Sequence, residues 1–210
     1  MTSGGRELLK WVALVLMTGD HVNKVFFAGQ LPALTEAARV VFPIFAFVLA
    51  WNLEHAPAAS RSRSLRRLLL AGVIVQPLHA SAFGYWLPAN VLLTLALGIA
   101  AADRALPLPV RVLAVLVAPL FVDYQWSGVG FFLASALVIR HVHRPAWAWL
   151  SLAAALVPLC VYNGNAWALL ALPMLWWLGR LEVEVPRWRW TFLGYYAGHL
   201  AALAVIGMVG

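Results

Sequence analysis

Apolar residues run almost unbroken through most of this chain, in stretches separated by short polar or basic connections. The runs are Leu8–Phe27, Leu34–Leu53, Arg66–Phe83, Ala89–Ala102, Val110–Val122, Val129–Ile139, Trp147–Tyr162, Ala166–Leu178 and Trp190–Met208. They are continuous and lack the in–out alternation that β-barrel strands need, so each predicts an apolar helix. A helix rises about 1.5 Å per residue, and about 17–25 apolar residues cross a bilayer. The fourth, fifth, sixth and eighth runs are shorter, which flanking residues, local thinning or packing against neighbours accommodates. The pattern predicts an all-α, polytopic membrane bundle of about nine transmembrane helices, or eight to ten where boundaries shift.

Composition agrees. The 210 residues are 63% hydrophobic and 11% charged, against roughly 45–50% and 25% in soluble domains. The bilayer buries such segments whatever the size of the core, so one compact bundle is expected. The net charge of +7 does not indicate nucleic acid, because no Lys/Arg tract with interleaved aromatics lies outside the apolar runs. A single cysteine, Cys160, leaves no internal disulfide and no cysteine-based metal site, and no metal is expected. The first run lacks a small-residue cleavage site before polar sequence, so no cleavable signal peptide is expected.

The cations test the map. Thirteen of the fifteen Lys and Arg residues fall before the first run or in every second connection after it. They are Arg6 and Lys10, then Arg61, Arg63, Arg66 and Arg67, then Arg104 and Arg111. Arg140 and Arg144 follow, then Arg180, Arg187 and Arg189. The alternate connections hold only Lys24, and Arg39 lies inside the second run. Lys and Arg accumulate on the cytoplasmic side, which predicts a cytoplasmic N-terminus and an outward C-terminus. Trp11, Trp51, Trp86, Trp126, Trp147, Trp188 and Trp190 fall near run ends, where interfacial anchoring accounts for them.

Polar residues inside the runs gather at one depth. Asp20 and His21 lie in the outer half of the first run, with Asn23 and Lys24 just beyond. Arg39 is in the outer third of the second, followed by Phe42-Pro43, where a proline loosens the helix. Gln76 and His79 occupy the outer half of the third, Asn90 and Thr94 open the fourth, and His199 sits mid-way in the last. Asp123-Tyr124 and Tyr162-Asn163-Gly164 form outer connections. A charge at membrane depth costs roughly 2.5–3.5 kcal/mol, so such residues usually face a bundle interior and have a function. Taken singly, Asn90, Asp123 and Asn163 read as turn or cap residues. Together the set predicts a polar pocket opening toward the outer face.

Such a pocket suits general base chemistry. A carboxylate near a histidine fixes its tautomer and stabilises its imidazolium, making a base for an amine or hydroxyl acceptor. Adjacent helical residues diverge by about 100°, so Asp20 pairs either with His21 or with Arg39. His199 is then a partner for His21 or a second base. An arginine in a low-dielectric site stabilises an oxyanion or grips a phosphate. The chain has no Gly-x-Ser-x-Gly, no Walker lysine loop and no His-Glu-x-x-His, which argues against standard hydrolases, nucleotide-driven pumps and zinc proteases.

Several of these stretches together resemble the TraX family of conjugative pilin acetylases. They are Leu9-Lys10-Trp11-Val12-Ala13 leading into Met17-x-x-Asp20-His21, and Arg39 followed by Val40-Val41-Phe42-Pro43-Ile44-Phe45-Ala46-Phe47. Arg67 with Gln76, Asn90-x-x-x-Thr94-x-x-x-Gly98 and Asp123-Tyr124-x-x-x-Gly128 continue the resemblance. Tyr162-Asn163-Gly164 and Tyr196-x-x-His199 complete it. The Leu-Lys-Trp start and the run from Gly19 to Val25 look closest to the TrbP-like branch, and the family is related to the membrane-bound acyltransferase family 3. Ala38 stands where the family often has glycine, and Ala197-Gly198 where it often has Pro-x before the last histidine.

The resemblance implies one TraX-like transmembrane domain over residues 1–210, in the bacterial inner membrane. It implies acetylation of the processed N-terminus of a conjugative pilin subunit, with acetyl-CoA as donor and membrane lipids as the only other partner. Asp20, His21, Arg39 and His199 would be catalytic under this reading. Gln76, Asn90, Asp123, Tyr124, Tyr162 and Asn163 would bind the acceptor, and Arg61, Arg63, Arg66 and Arg67 the donor phosphates. Those four arginines are equally accounted for by cytoplasmic charge sorting. Two other readings stay open: a pilin-maturation enzyme of another type, such as one that cyclises the chain, and a non-catalytic pilin insertion factor.

Overall fold

In a computed structural model the protein is built from helices, and the residues described are 1–141, 143–186 and 190–209. Arg187, Trp188 and Arg189 of the last basic connection lie outside the described residues. The helices are α1 (Ser3–Phe26), α2 (Pro32–Ala37), α3 (Val41–Glu54), α4 (Ala59–Phe83) and α5 (Val91–Ala102). They continue with α6 (Leu108–Leu116), α7 (Gln125–His141), α8 (Pro145–Asn163), α9 (Ala171–Trp177) and α10 (Thr191–Val209). Every apolar run read from the sequence falls on helix.

Three details differ. The Ser/Arg stretch 60–67 reads as a loop, yet it forms the first turns of α4, which begins at Ala59. The fifth run is not one helix: α6 stops at Leu116 and a 3-10 turn at Ala118–Phe121 follows. Pro119 lies in that turn, and its missing N–H could not continue the α-helical ladder. The second run begins as α2 and tightens to a 3-10 turn at Ala38–Val40 before α3, so Arg39 sits on a joint rather than mid-helix.

Among the described residues, two helical stretches are long and apolar enough to cross a membrane, Pro32–Glu54 and Pro145–Asn163. Val91–Ala102 and Thr191–Gly207 are apolar but shorter. At one end Glu54 of α3 is held by Arg61 of α4 and Arg140 of α7. There too Thr2 donates its N–H to Gly179 O (2.9 Å) and its hydroxyl to Leu181 O, which joins the N-terminus to the connection before α10. At the opposite end Ala89 donates its backbone N–H to Phe121 O (2.7 Å) and accepts from Asp123 N (2.8 Å), which joins the connection before α5 to the one before α7.

The core centres on α3, α5 and α7. Phe42, Ile44, Ala46, Phe47, Val48 and Ala50 are buried on every side of α3, as expected of a helix that is apolar all round. Gly98 of α5 is where α7 comes closest: a Cβ there would stand 2.6 Å from Phe132 Cγ. On α1 the buried positions Leu9, Ala13, Met17, Asp20 and Asn23 recur at helical spacing. Asp20 therefore continues the stripe that α1 turns inward. Asn23 does the same and is fully engaged, donating to Leu31 O (2.9 Å) and Thr35 Oγ1 (3.0 Å) and accepting from Leu31 N (3.0 Å).

Candidate functional site

A cavity of about 290 Å³ lies among α1, α3, α4, α5 and α10. Lys10 and Asn52 line one end, and Leu14, Phe45, Val48, Leu49 and Leu95 wall the middle. Asp20, His21, Lys24, His79, Asp123 and Tyr124 line the other. Lys10 and Asp20 are ten residues apart on α1, so the cavity extends about 15 Å along that helix.

Asp20 is 7% exposed, and its Oδ2 pairs with Lys24 Nζ at 2.7 Å, one turn further along α1. Its Oδ1 is buried and has no hydrogen-bond partner. The alternatives of pairing with His21 or Arg39 are thus resolved in favour of Lys24. His21 pairs instead with His199 of α10, Nδ1 to Nε2, at 2.8 Å. Phe83 packs its ring edgewise on His21, with centroids 5.0 Å apart.

Asp123 stands in the loop before α7. Its Oδ1 accepts the Tyr124 backbone N–H (2.9 Å) and lies 3.4 Å from the Tyr162 hydroxyl. Burial raises the Asp123 carboxyl above the usual carboxylate range, partly offset by the Tyr124 N–H and the nearby Lys24 and Arg39 charges. Tyr124 holds a left-handed backbone (φ 59°), which is uncommon for a bulky residue and turns its ring onto Phe42 with centroids 4.4 Å apart. Arg39 lies outside the cavity wall, although its neighbour Ala38 belongs to it. Its Nε is buried without a hydrogen-bond partner, and so are both side-chain polar atoms of Asn163.

Other sequence-predicted residues serve the scaffold. Asn90 caps α5 by accepting from Leu92 N, and its Nδ2 donates to Gly72 O and to Gln76 Oε1, each at 2.8 Å. Gln76 Nε2 donates to Trp86 O (2.8 Å). These bonds tie both side chains to the scaffold, and neither lines the cavity. Tyr162 and Asn163 also lie outside the wall, with Tyr162 reaching it only through Asp123.

The four arginines of the donor assignment do not converge. On α4, Arg63, Arg66 and Arg67 share one face at i, i+3 and i+4 and Arg61 lies apart, and their contacts differ: Arg61 reaches Glu54 (3.1 Å), Arg63 reaches Ser60 Oγ (3.0 Å), Arg66 is exposed and Arg67 covers the Trp190 ring. None lines the cavity, where the cation at that end is Lys10. The role assignments left out Lys10, Lys24, Asn52, His79 and Tyr85, although Lys24 and His79 belong to the polar set read at one depth. The i,i+4 spacing of Asp20 and Lys24 was a readable signal; nothing local marks Tyr85 or Asn52.

The comparisons with known proteins bear on the whole chain. The TraX protein family matches residues 5–207. A protein named TraX from Escherichia coli is 38% identical over 93 residues, which cover 44% of this chain and 37% of that relative. TraX from Escherichia coli strain K12 is 36% identical over the same shares of both chains. An uncharacterized protein of Rickettsia prowazekii (strain Madrid E) is 28% identical over 44% of this chain and 34% of its own length. The matched stretch thus spans about a third of these relatives. No solved structure matches. With the family matched almost from end to end, the chain belongs to the TraX family.

Proposed function

We propose that this protein is a multi-pass inner-membrane acyltransferase that acetylates the processed N-terminus of a conjugative pilin subunit. The observation that supports the reading is the cavity itself: His21 and the unpartnered buried oxygen of Asp20 line one end of a passage along the bundle. The end with Lys10 and Asn52 lies with the basic helix ends, the side assigned to the cytoplasm. The end with Asp20 and His21 lies with the outer connections.

Membrane embedding is supported by the exterior. Val15, Val73, Ile74, Leu116, Val161 and Val205 are exposed on five helices, Val161 at 76%. Apolar surface so widely distributed suits lipid better than water.

The residues fit the chemistry. Acetyl-CoA would supply the acyl group as a thioester, its arm entering past Lys10 into the apolar middle of the cavity. The free oxygen of Asp20 and the Asp123 carboxyl attract an ammonium acceptor. His21 would first take one proton from the ammonium and free its lone pair; the neutral amine would then bond the acyl carbon as the carbon–sulfur bond breaks, its second proton leaving with the departing sulfur and the first passing from His21 to solvent. Arg39 acts on the site through Asp123 rather than by direct contact. The test is the intact mass of mature pilin from cells carrying His21→Ala or Asp20→Asn. Loss of the acetyl increment is expected, and an increment unchanged in both variants would sink the assignment.

A further inference from the structure

His199 of α10 lies outside the cavity, yet its ring touches the one imidazole proposed as base. His199 Nδ1 is 3.0 Å from the backbone oxygen of Tyr195, one helical turn back. A carbonyl oxygen can only accept, so His199 Nδ1 carries a proton and donates it. A neutral imidazole has one N–H, which leaves His199 Nε2 with a lone pair. That lone pair faces His21 Nδ1 at 2.8 Å, with the two ring planes 13° apart. Two bare nitrogens would repel at this distance, so His21 Nδ1 must hold the hydrogen.

We propose that His199, itself fixed by the Tyr195 carbonyl, locks His21 in the Nδ1–H tautomer and so leaves His21 Nε2 as a bare lone pair for the cavity. His199 is a positioning residue in this scheme, and its role in turnover rests on the reading of His21 as general base. A second contact braces the pair. Thr18 donates its single hydroxyl proton to Leu14 O (2.9 Å), so in its 2.9 Å contact with the Tyr195 hydroxyl it accepts. Tyr195 is therefore tied to α1 twice, by its phenol through Thr18 and by its carbonyl through His199 and His21. Thr18 and His21 are neighbours on one face of α1, so the clasp fixes the ring's place as well as its proton.

The experiment is nitrogen NMR of the full-length protein, with 15N-labelled histidine, in detergent micelles at neutral pH. Couplings from ring carbons distinguish Nδ1–H from Nε2–H, and single His→Gln variants at the other four histidines assign the two signals. Both His21 and His199 are expected as Nδ1–H. An Nε2–H signal for His21, or an imidazolium at His199, overturns the lock. Variants add a second measurement. His199→Gln puts an amide oxygen near the position of Nε2, which keeps an acceptor for His21; His199→Ala removes it. Pilin acetylation is expected to fall about 10- to 100-fold in the alanine variant and to be largely retained with glutamine. Equal loss in both overturns the proposal. The two readings fail separately: tautomers as expected with acetylation surviving His21→Ala would remove the base and keep the lock, whereas a reversed tautomer with acetylation lost in His21→Ala would do the opposite.

Discussion

Lys24 neutralises one oxygen of Asp20 across a single turn of α1 and leaves the other buried in the cavity without a partner. The pair is unequal, since Asp20 is buried whereas the Lys24 ammonium is nearly half exposed. Solvent screening keeps the coupling small, about 0.5–1 kcal/mol. Lys24→Met is expected to lower stability by about that amount, and less when Asp20→Asn is already present. A double-mutant cycle of thermal unfolding in detergent measures it. Lys24→Met is also expected to reduce pilin acetylation, because the Asp20 carboxylate then loses the ion pair that holds it at the cavity wall.

Glu54 is the junction of α3, α4 and α7. Arg140 engages both carboxylate oxygens, with Nη2 at 2.7 Å from Oε1, whereas Arg61 makes a single contact at 3.1 Å. Bidentate charge-assisted pairing is the stronger of the two. Arg140→Ala is expected to lower stability by about 1.5–3 kcal/mol, and Arg61→Ala by less than about 1 kcal/mol. Unfolding temperatures of the two variants, compared side by side, check the order. If Arg61→Ala proves the more costly, the geometry has been misread.

The helices were legible in the sequence because they are written as continuous apolar runs with short polar or basic breaks between them. The site was legible only where a polar residue interrupts such a run. Asp20, His21 and His199 stand out in apolar surroundings, and the fold brings them to one place. Gln76 and Asn90 stand out equally, but their polarity closes a loop onto α4 and never reaches the cavity. Sequence alone does not separate a buried polar group satisfied by the chain from one left open for a ligand. The arginines at 61–67 stand out in the same way, but they lie on the first turns of α4 and none lines the cavity.

Two glycines in packed helices give opposite expectations. At Gly98 an added methyl meets the Phe132 ring at 2.6 Å, between two core helices that cannot separate freely. At Gly130, in α7, nothing lies within 4 Å. Gly98→Ala is expected to cost about 1–3 kcal/mol by overpacking, whereas Gly130→Ala is expected to stabilise by up to about 1 kcal/mol through chain entropy. Thermal unfolding of the two variants should move in opposite directions from the parent.

Asp123 provides a test by pH. Burial raises its carboxyl above the value it has in the unfolded chain, so the folded protein binds this proton more readily than the unfolded one. The sign follows from linkage: stability falls as pH rises through the window between the unfolded and the raised folded value, and the penalty is complete above it. Asp123→Asn keeps an oxygen for the Tyr124 N–H and for the Tyr162 hydroxyl but carries no charge. The asparagine variant is therefore expected to unfold at a higher temperature than the parent at pH 7, with the difference shrinking as pH falls below the ordinary aspartate range. Melting curves of both proteins across that range decide it. A difference that stays constant with pH would mean that the Asp123 charge is paired in the folded protein rather than merely buried.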